Sequence, residues 1–134
     1  MVAFDKISIV KYWLDLAKRD YQTMENLFKS EDYVWGLFIG HLVLEKMLKA
    51  IYVNKHNEHP PRTHDLPRLA QKSGLEMDDQ MLEKLETISR FNISVRYPDT
   101  QQEFYQLCTK SFAQEALLFI NEVKKWLENV IKQF

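Results

Sequence analysis

The chain has 134 residues, 46% of them apolar and 28% charged, enough for one domain with its own core and too apolar for a disordered chain. A formal net charge of −1 excludes a bulk attraction to nucleic acid or anionic lipid and leaves only local basic patches open. The single Cys108 excludes an intrachain disulfide and suits a reducing compartment.

Three glycines and four prolines, with abundant Leu, Lys, Glu and Met, favour helices throughout. The first helix is predicted from about Ser8 to Phe28, with Ile9, Trp13, Leu16, Ala17, Met24, Leu27 and Phe28 as its apolar stripe. Asp20 falls on that stripe and needs a cation or an amide nearby. Ser30 is the expected N-cap of a second helix, with Glu31 and Asp32 in its positive first turn.

This second helix, over Asp32 to Val53, is the most apolar stretch and reads as a buried central helix. Gly36 and Gly40 each cost ~1 kcal/mol relative to Ala, a loss that close approach of a neighbouring helix would offset. His41, Glu45 and Lys49 recur every four residues and so form one polar ridge on it. Such a ridge needs internal partners or a ligand.

Asn54 to Arg62 reads as a polar loop closed by Pro60-Pro61. Thr63 is the expected cap of a short third helix that tolerates Pro67 and stops at Gly74. Asp78 or Asp79 opens a fourth helix with Met81, Leu85, Ile88 and Asn92 on its inner face, ending at Arg96-Tyr97-Pro98. Thr100-Gln101-Gln102-Glu103 has the capping-box pattern and predicts one long fifth helix to Phe134. The expected fold is all-α: an up-and-down antiparallel four-helix bundle with one additional short helix, a single domain over residues 1–134.

Few residues suggest conventional catalysis. His56 and His59 lie in the proline-flanked loop without a recognised ligand pattern, so neither a metal nor a cofactor is expected. Cys108 occupies an apolar helical position and reads as a structural thiol. The better lead is charge on apolar faces. Asp20, the His41/Glu45/Lys49 ridge and Arg96 could meet inside the bundle, as a structural ion network or as a ligand pocket. Lys49 and Arg96 would suit a phosphate, and Tyr97 or a tryptophan could stack on a base. His64 is either packed over the loop or an acid, base or phosphate contact.

Four segments, in order, carry a family resemblance. They are Trp13-Leu14-x-x-Ala17-x-x-Asp20, Trp35 to Leu44 followed by Glu45-Lys46-x-Leu48-Lys49-Ala50, Pro61-Arg62-Thr63-His64-Asp65-Leu66, and Arg96-Tyr97-Pro98-Asp99. Together they resemble the HEPN domain family over nearly the whole chain. The resemblance implies a helical bundle, often a homodimer. It implies either partnership with a separately encoded minimal nucleotidyltransferase, in toxin–antitoxin-like pairs, or ribonuclease activity through an Arg-x(4–6)-His motif. No arginine in this chain has a histidine four to six residues after it.

The expectation is therefore a non-catalytic nucleotide-binding protein with a nucleotidyltransferase partner. Lys49 and Arg96 would take phosphate, with Asp20, His64, Glu45 and Tyr97 around them. The alternatives are a metal-independent endoribonuclease with an atypical site and a purely structural dimeric interaction module. Surplus apolar surface on the second and fifth helices favours a homodimer. Residues 1–20 carry no secretory signal pattern, and the run Tyr33 to Leu44 is too short to span a bilayer, which takes ~20 residues. No membrane association and a cytoplasmic location are expected.

Overall fold

The computed structural model describes residues 3–134, and all regular structure among them is helical. Six helices follow in order: α1 (Lys6–Lys29), α2 (Tyr33–His56), α3 (Leu66–Lys72), α4 (Asp79–Arg96), α5 (Pro98–Leu107) and α6 (Lys110–Ile131). The four long ones form the bundle. Among the described residues, no helix is long and apolar enough to cross a membrane.

α2 is the axis. Fourteen of its 24 residues are buried, so it must be surrounded over most of its length, with Trp35, Lys55 and His56 exposed towards its ends. α1, α4 and α6 pack on it, and the short α3 covers its C-terminal half beside α4. The glycines set the spacing. A Cβ on Gly40 would lie 2.6 Å from Cδ1 of Ile120 on α6 and 3.0 Å from Sδ of Met24 on α1. One on Gly36 would lie 2.7 Å from the ring of Phe28. The helix-weakening residues therefore stand where neighbours come closest.

α1 begins at the Asp5 cap, whose side chain accepts from the Ser8 amide at 3.2 Å. Ser30 ends α1 rather than opening α2; the N-cap of α2 is Asp32, without a side-chain capping bond. The chain turns between them with Glu31 at φ 60°, in the left-handed region. Asp65, not Thr63, caps α3 by accepting from the Arg68 amide at 3.1 Å, while the Thr63 hydroxyl accepts from the Asp65 amide at 3.2 Å. Gly74, at φ +75°, follows the end of α3 as expected. Asp78 caps α4.

The predicted single C-terminal helix is two. Pro98 opens α5 in the first turn, and the Thr100 hydroxyl turns back to the Tyr97 carbonyl at 3.0 Å instead of capping. Thr109 starts α6 by accepting from the Phe112 amide at 3.2 Å. The break lets Phe104 on α5 and Phe112 on α6 converge on Phe91 of α4, with ring centroids 5.5 and 6.4 Å from it. A straight helix would carry the two rings, eight residues apart, ~12 Å along its axis. Cys108 sits at this break, half-buried, with burial pushing its thiol up to about 11, which leaves it protonated and unreactive at neutral pH.

Candidate functional site

The polar ridge of α2 finds its partners in the segment between α2 and α3. Glu45 is buried, and both carboxylate oxygens are used. Oε1 accepts from Nδ1 of His64 at 2.7 Å, and Oε2 accepts from Nζ of Lys49 at 3.1 Å. One helical turn earlier, fully buried His41 donates from Nε2 to the His64 carbonyl at 3.0 Å. That bond fixes the neutral tautomer and leaves Nδ1 of His41 buried with no partner. Burial, opposed by the His64 carbonyl, holds the His41 imidazole below its ordinary range.

His64 is held from both sides. Its carbonyl takes the His41 donor and, at 3.4 Å, the Ser89 hydroxyl of α4. Its side chain is 48% exposed, and Nε2 has no hydrogen-bond partner among the described residues. With Asp65, Pro67, Glu86, Ser89, Arg90 and Asn92 it lines a cavity of about 350 Å³. A histidine from the loop and an arginine from α4 thus share one space without sharing a sequence motif.

Lys49 points to a different space. Its ammonium stands 5.3 Å from the centroid of the Trp13 ring on α1. Trp13, Lys49, His59, Pro60, Pro61 and Arg62 line a cavity of about 380 Å³. Three of these six carry or can carry positive charge, and the rest offer flat aromatic or proline surface.

Arg96 does not join Lys49. Its guanidinium lies 5.3 Å over the Phe38 ring and bonds to the Asn92 side chain. Phe38 precedes Lys49 by eleven residues, ~16 Å along α2. Asp20 reaches neither cation and pairs with Lys46 on the adjoining face of α2. Tyr97 ends α4 and is exposed. The six expected residues therefore divide. Glu45, His64 and Lys49 form one bonded group, whereas Arg96, Tyr97 and Asp20 stand apart. A tryptophan was expected as a stacking surface, and Trp13 is the one at the Lys49 cavity; Arg62 in that cavity and Arg90 in the His64 cavity were not expected as site residues. Trp13 meets Arg62, and His64 meets Arg90, only through packing, and no spacing along the chain announces either pairing.

His56 and His59 also separate, His56 being the last residue of α2 rather than part of the loop. His56 bonds the Lys72 carbonyl at 2.6 Å, and His59 packs edge-on against Phe4. No three His, Cys, Asp or Glu side chains converge as a metal-ligand group among the described residues.

Comparisons with known proteins agree with this architecture. No curated protein matches the chain. Among solved structures, the crystal structure of TT1696 from Thermus thermophilus superposes with a TM-score of 0.74 at 19% identity, covering 90% of this chain and 96% of that one. At that identity the likeness is one of fold. The HEPN domain family matches residues 10–130, from the first turns of α1 to the last turn of α6, and the chain belongs to that family.

Proposed function

We propose that the protein binds a nucleotide in the cavity between α1 and the α2–α3 loop, and acts there as the HEPN partner of a separately encoded nucleotidyltransferase. The cavity wall carries this reading: Lys49 and Arg62 for phosphate oxygens, Trp13 and the Pro60-Pro61 surface for a base. Lys49 is oriented by Glu45, so its position costs little further entropy on binding. Arg62 is exposed and supplies a planar fork suited to phosphate. The nucleotidyltransferase partner and its toxin–antitoxin-like setting rest on family membership alone. Titration of ATP and GTP by calorimetry tests the site. Arg62→Ala is expected to weaken binding about tenfold, the loss of one charge-assisted hydrogen bond. Equal affinity in wild type and variant removes this cavity from the reading.

A second reading, a metal-independent endoribonuclease, is favoured by one specific observation: His64 and Arg90 line the same cavity, and buried Glu45 holds His64 Nδ1. In that geometry Nε2 of His64 would accept the proton of a ribose 2′-hydroxyl as its oxygen attacks phosphorus. Arg90 would stabilise the charge that develops before the 5′-oxygen leaves. Asp65 and Glu86 in the same wall oppose an approaching phosphate, which ranks this reading second. Labelled RNA incubated with EDTA-treated protein decides it: cleavage must occur, and must be lost in both His64→Ala and Arg90→Ala.

Self-association belongs to the same proposal. Trp35 and Tyr105 are exposed and hydrogen-bonded to each other at 2.9 Å, Phe38 packs edge-on against Trp35, and Arg96 covers Phe38. Exposed Ile93 lies on the last turn of α4, and exposed Tyr97 is the residue that ends that helix. A second copy of the chain would remove this apolar surface from water.

A further inference from the structure

A cavity of about 510 Å³ opens between α1, α2 and α6, away from both spaces described above. Its contributors from α2 are Val43 and Met47. These alternate with His41, Glu45 and Lys49 along the chain, and a two-residue step rotates ~200° about a helix, so they face the other way. Leu14 and Ala17 of α1 and Ile131 of α6 complete an apolar floor. Its volume is within the range of small-molecule sites.

The rim is cationic. Lys18, Lys124 and Lys132 are opposed by one acid, Glu128. Lys124 is already engaged, 3.3 Å from Glu128 and 4.5 Å over the Tyr21 ring. Lys18 and Lys132 form no ion pair among the described residues. Nearby Asp20 is neutralised by Lys46. The Tyr21 hydroxyl donates to Asn121 at 2.9 Å, and burial raises its pKa, so it adds no negative charge. Two uncompensated cations thus overlook an apolar floor in a chain of net charge −1.

This combination selects against most ligands. A nucleobase would surrender its hydrogen bonds to a floor that returns none. Water gains little from apolar walls. A hydrocarbon tail with an anionic head satisfies both parts. We propose that this cavity binds a free medium-chain fatty acid, with its tail over Ala17, Val43 and Met47 and its carboxylate between Lys18 and Lys132.

Calorimetric titration of decanoate below its micellar concentration tests this. Saturation at one molecule per chain is expected, with affinity falling about fourfold for each methylene removed on passing to octanoate. Decanol, which lacks the charge, should bind at least tenfold more weakly. Lys18→Glu combined with Lys132→Glu changes two exposed side chains, so the fold and melting temperature should persist while decanoate affinity drops tenfold or more. Decanoate binding should be the same in Arg62→Ala as in wild type, which separates this site from the nucleotide cavity. Unsaturable uptake, equal binding of decanol, full affinity in the double variant or loss of affinity in Arg62→Ala each overturns the proposal.

Discussion

Glu45 holds two groups in place, the Lys49 ammonium and the His64 imidazole, with its own side chain only 6% exposed. Replacing it with alanine leaves Lys49 buried against Trp13 without a counter-charge and frees His64. The expected cost of Glu45→Ala is about 3–5 kcal/mol, read from urea unfolding, because removing one side of a buried pair strands the other. Glu45→Gln keeps the shape and one acceptor oxygen, for either His64 or Lys49 but not both, and should cost less than alanine. His41 gives the fold a pH dependence of definite sign. Its imidazole titrates below the ordinary 6.5 because of burial. Between the lowered value and 6.5 the unfolded chain binds more protons than the folded one, so stability falls as pH drops below about 6.5. One such group contributes a slope of at most ~1.4 kcal/mol per pH unit. His41→Gln retains a donor for the His64 carbonyl and should flatten that part of the stability–pH curve. An unchanged curve would assign the acid sensitivity to other groups.

At the scale of elements, the interruption between α5 and α6 matters most. Thr109 is the residue that makes it definite: its side chain satisfies the Phe112 amide at the first turn of α6. Thr109→Ala is expected to cost about 1 kcal/mol by thermal unfolding. It should also loosen the meeting of Phe104 and Phe112 on Phe91, visible as faster hydrogen exchange in α5 than in α6. Equal protection in both helices would mean that the aromatic contacts, not the cap, hold the break. α2 is constrained differently. Its glycines admit α1 and α6, so the rotation of α1 about its axis is set by packing. That rotation brings Trp13 to Lys49 and Asp20 to Lys46.

For the whole molecule, the α1–loop cavity shares no lining residue with the His64–Arg90 cavity, whereas Ile93 belongs both to the wall of the latter and to the exposed apolar face around Trp35 and Tyr105. On the proposed dimer, that face is the contact. Sedimentation should find a dimer in the wild-type chain and a monomer in Ile93→Glu, with helicity unchanged because Ile93 is 53% exposed. A dimer that survives the substitution would place the contact elsewhere.

The sequence by itself determined the helices up to α4 and most of the inward faces, because helical periodicity, capping residues and i, i+4 pairs are local; on the C-terminal stretch it placed Leu107 and Leu118 inward, and both are exposed. The burial of α2, the role of its glycines and the Glu45–Lys49 pair were all legible at that range. The C-terminal break was not: Thr100 read as the start of one long helix, whereas the chain opens α5 at Pro98 and starts α6 after Thr109, where Phe104 and Phe112 meet Phe91. The tertiary structure alone decided the candidate site. Asp20 with Lys46, Trp13 with Lys49, and His64 with both Glu45 and the Arg90 cavity are pairings across distant segments. They follow from how each helix is rotated and offset against α2. That depends on the fit of many side chains at once, and no spacing within one helix encodes it.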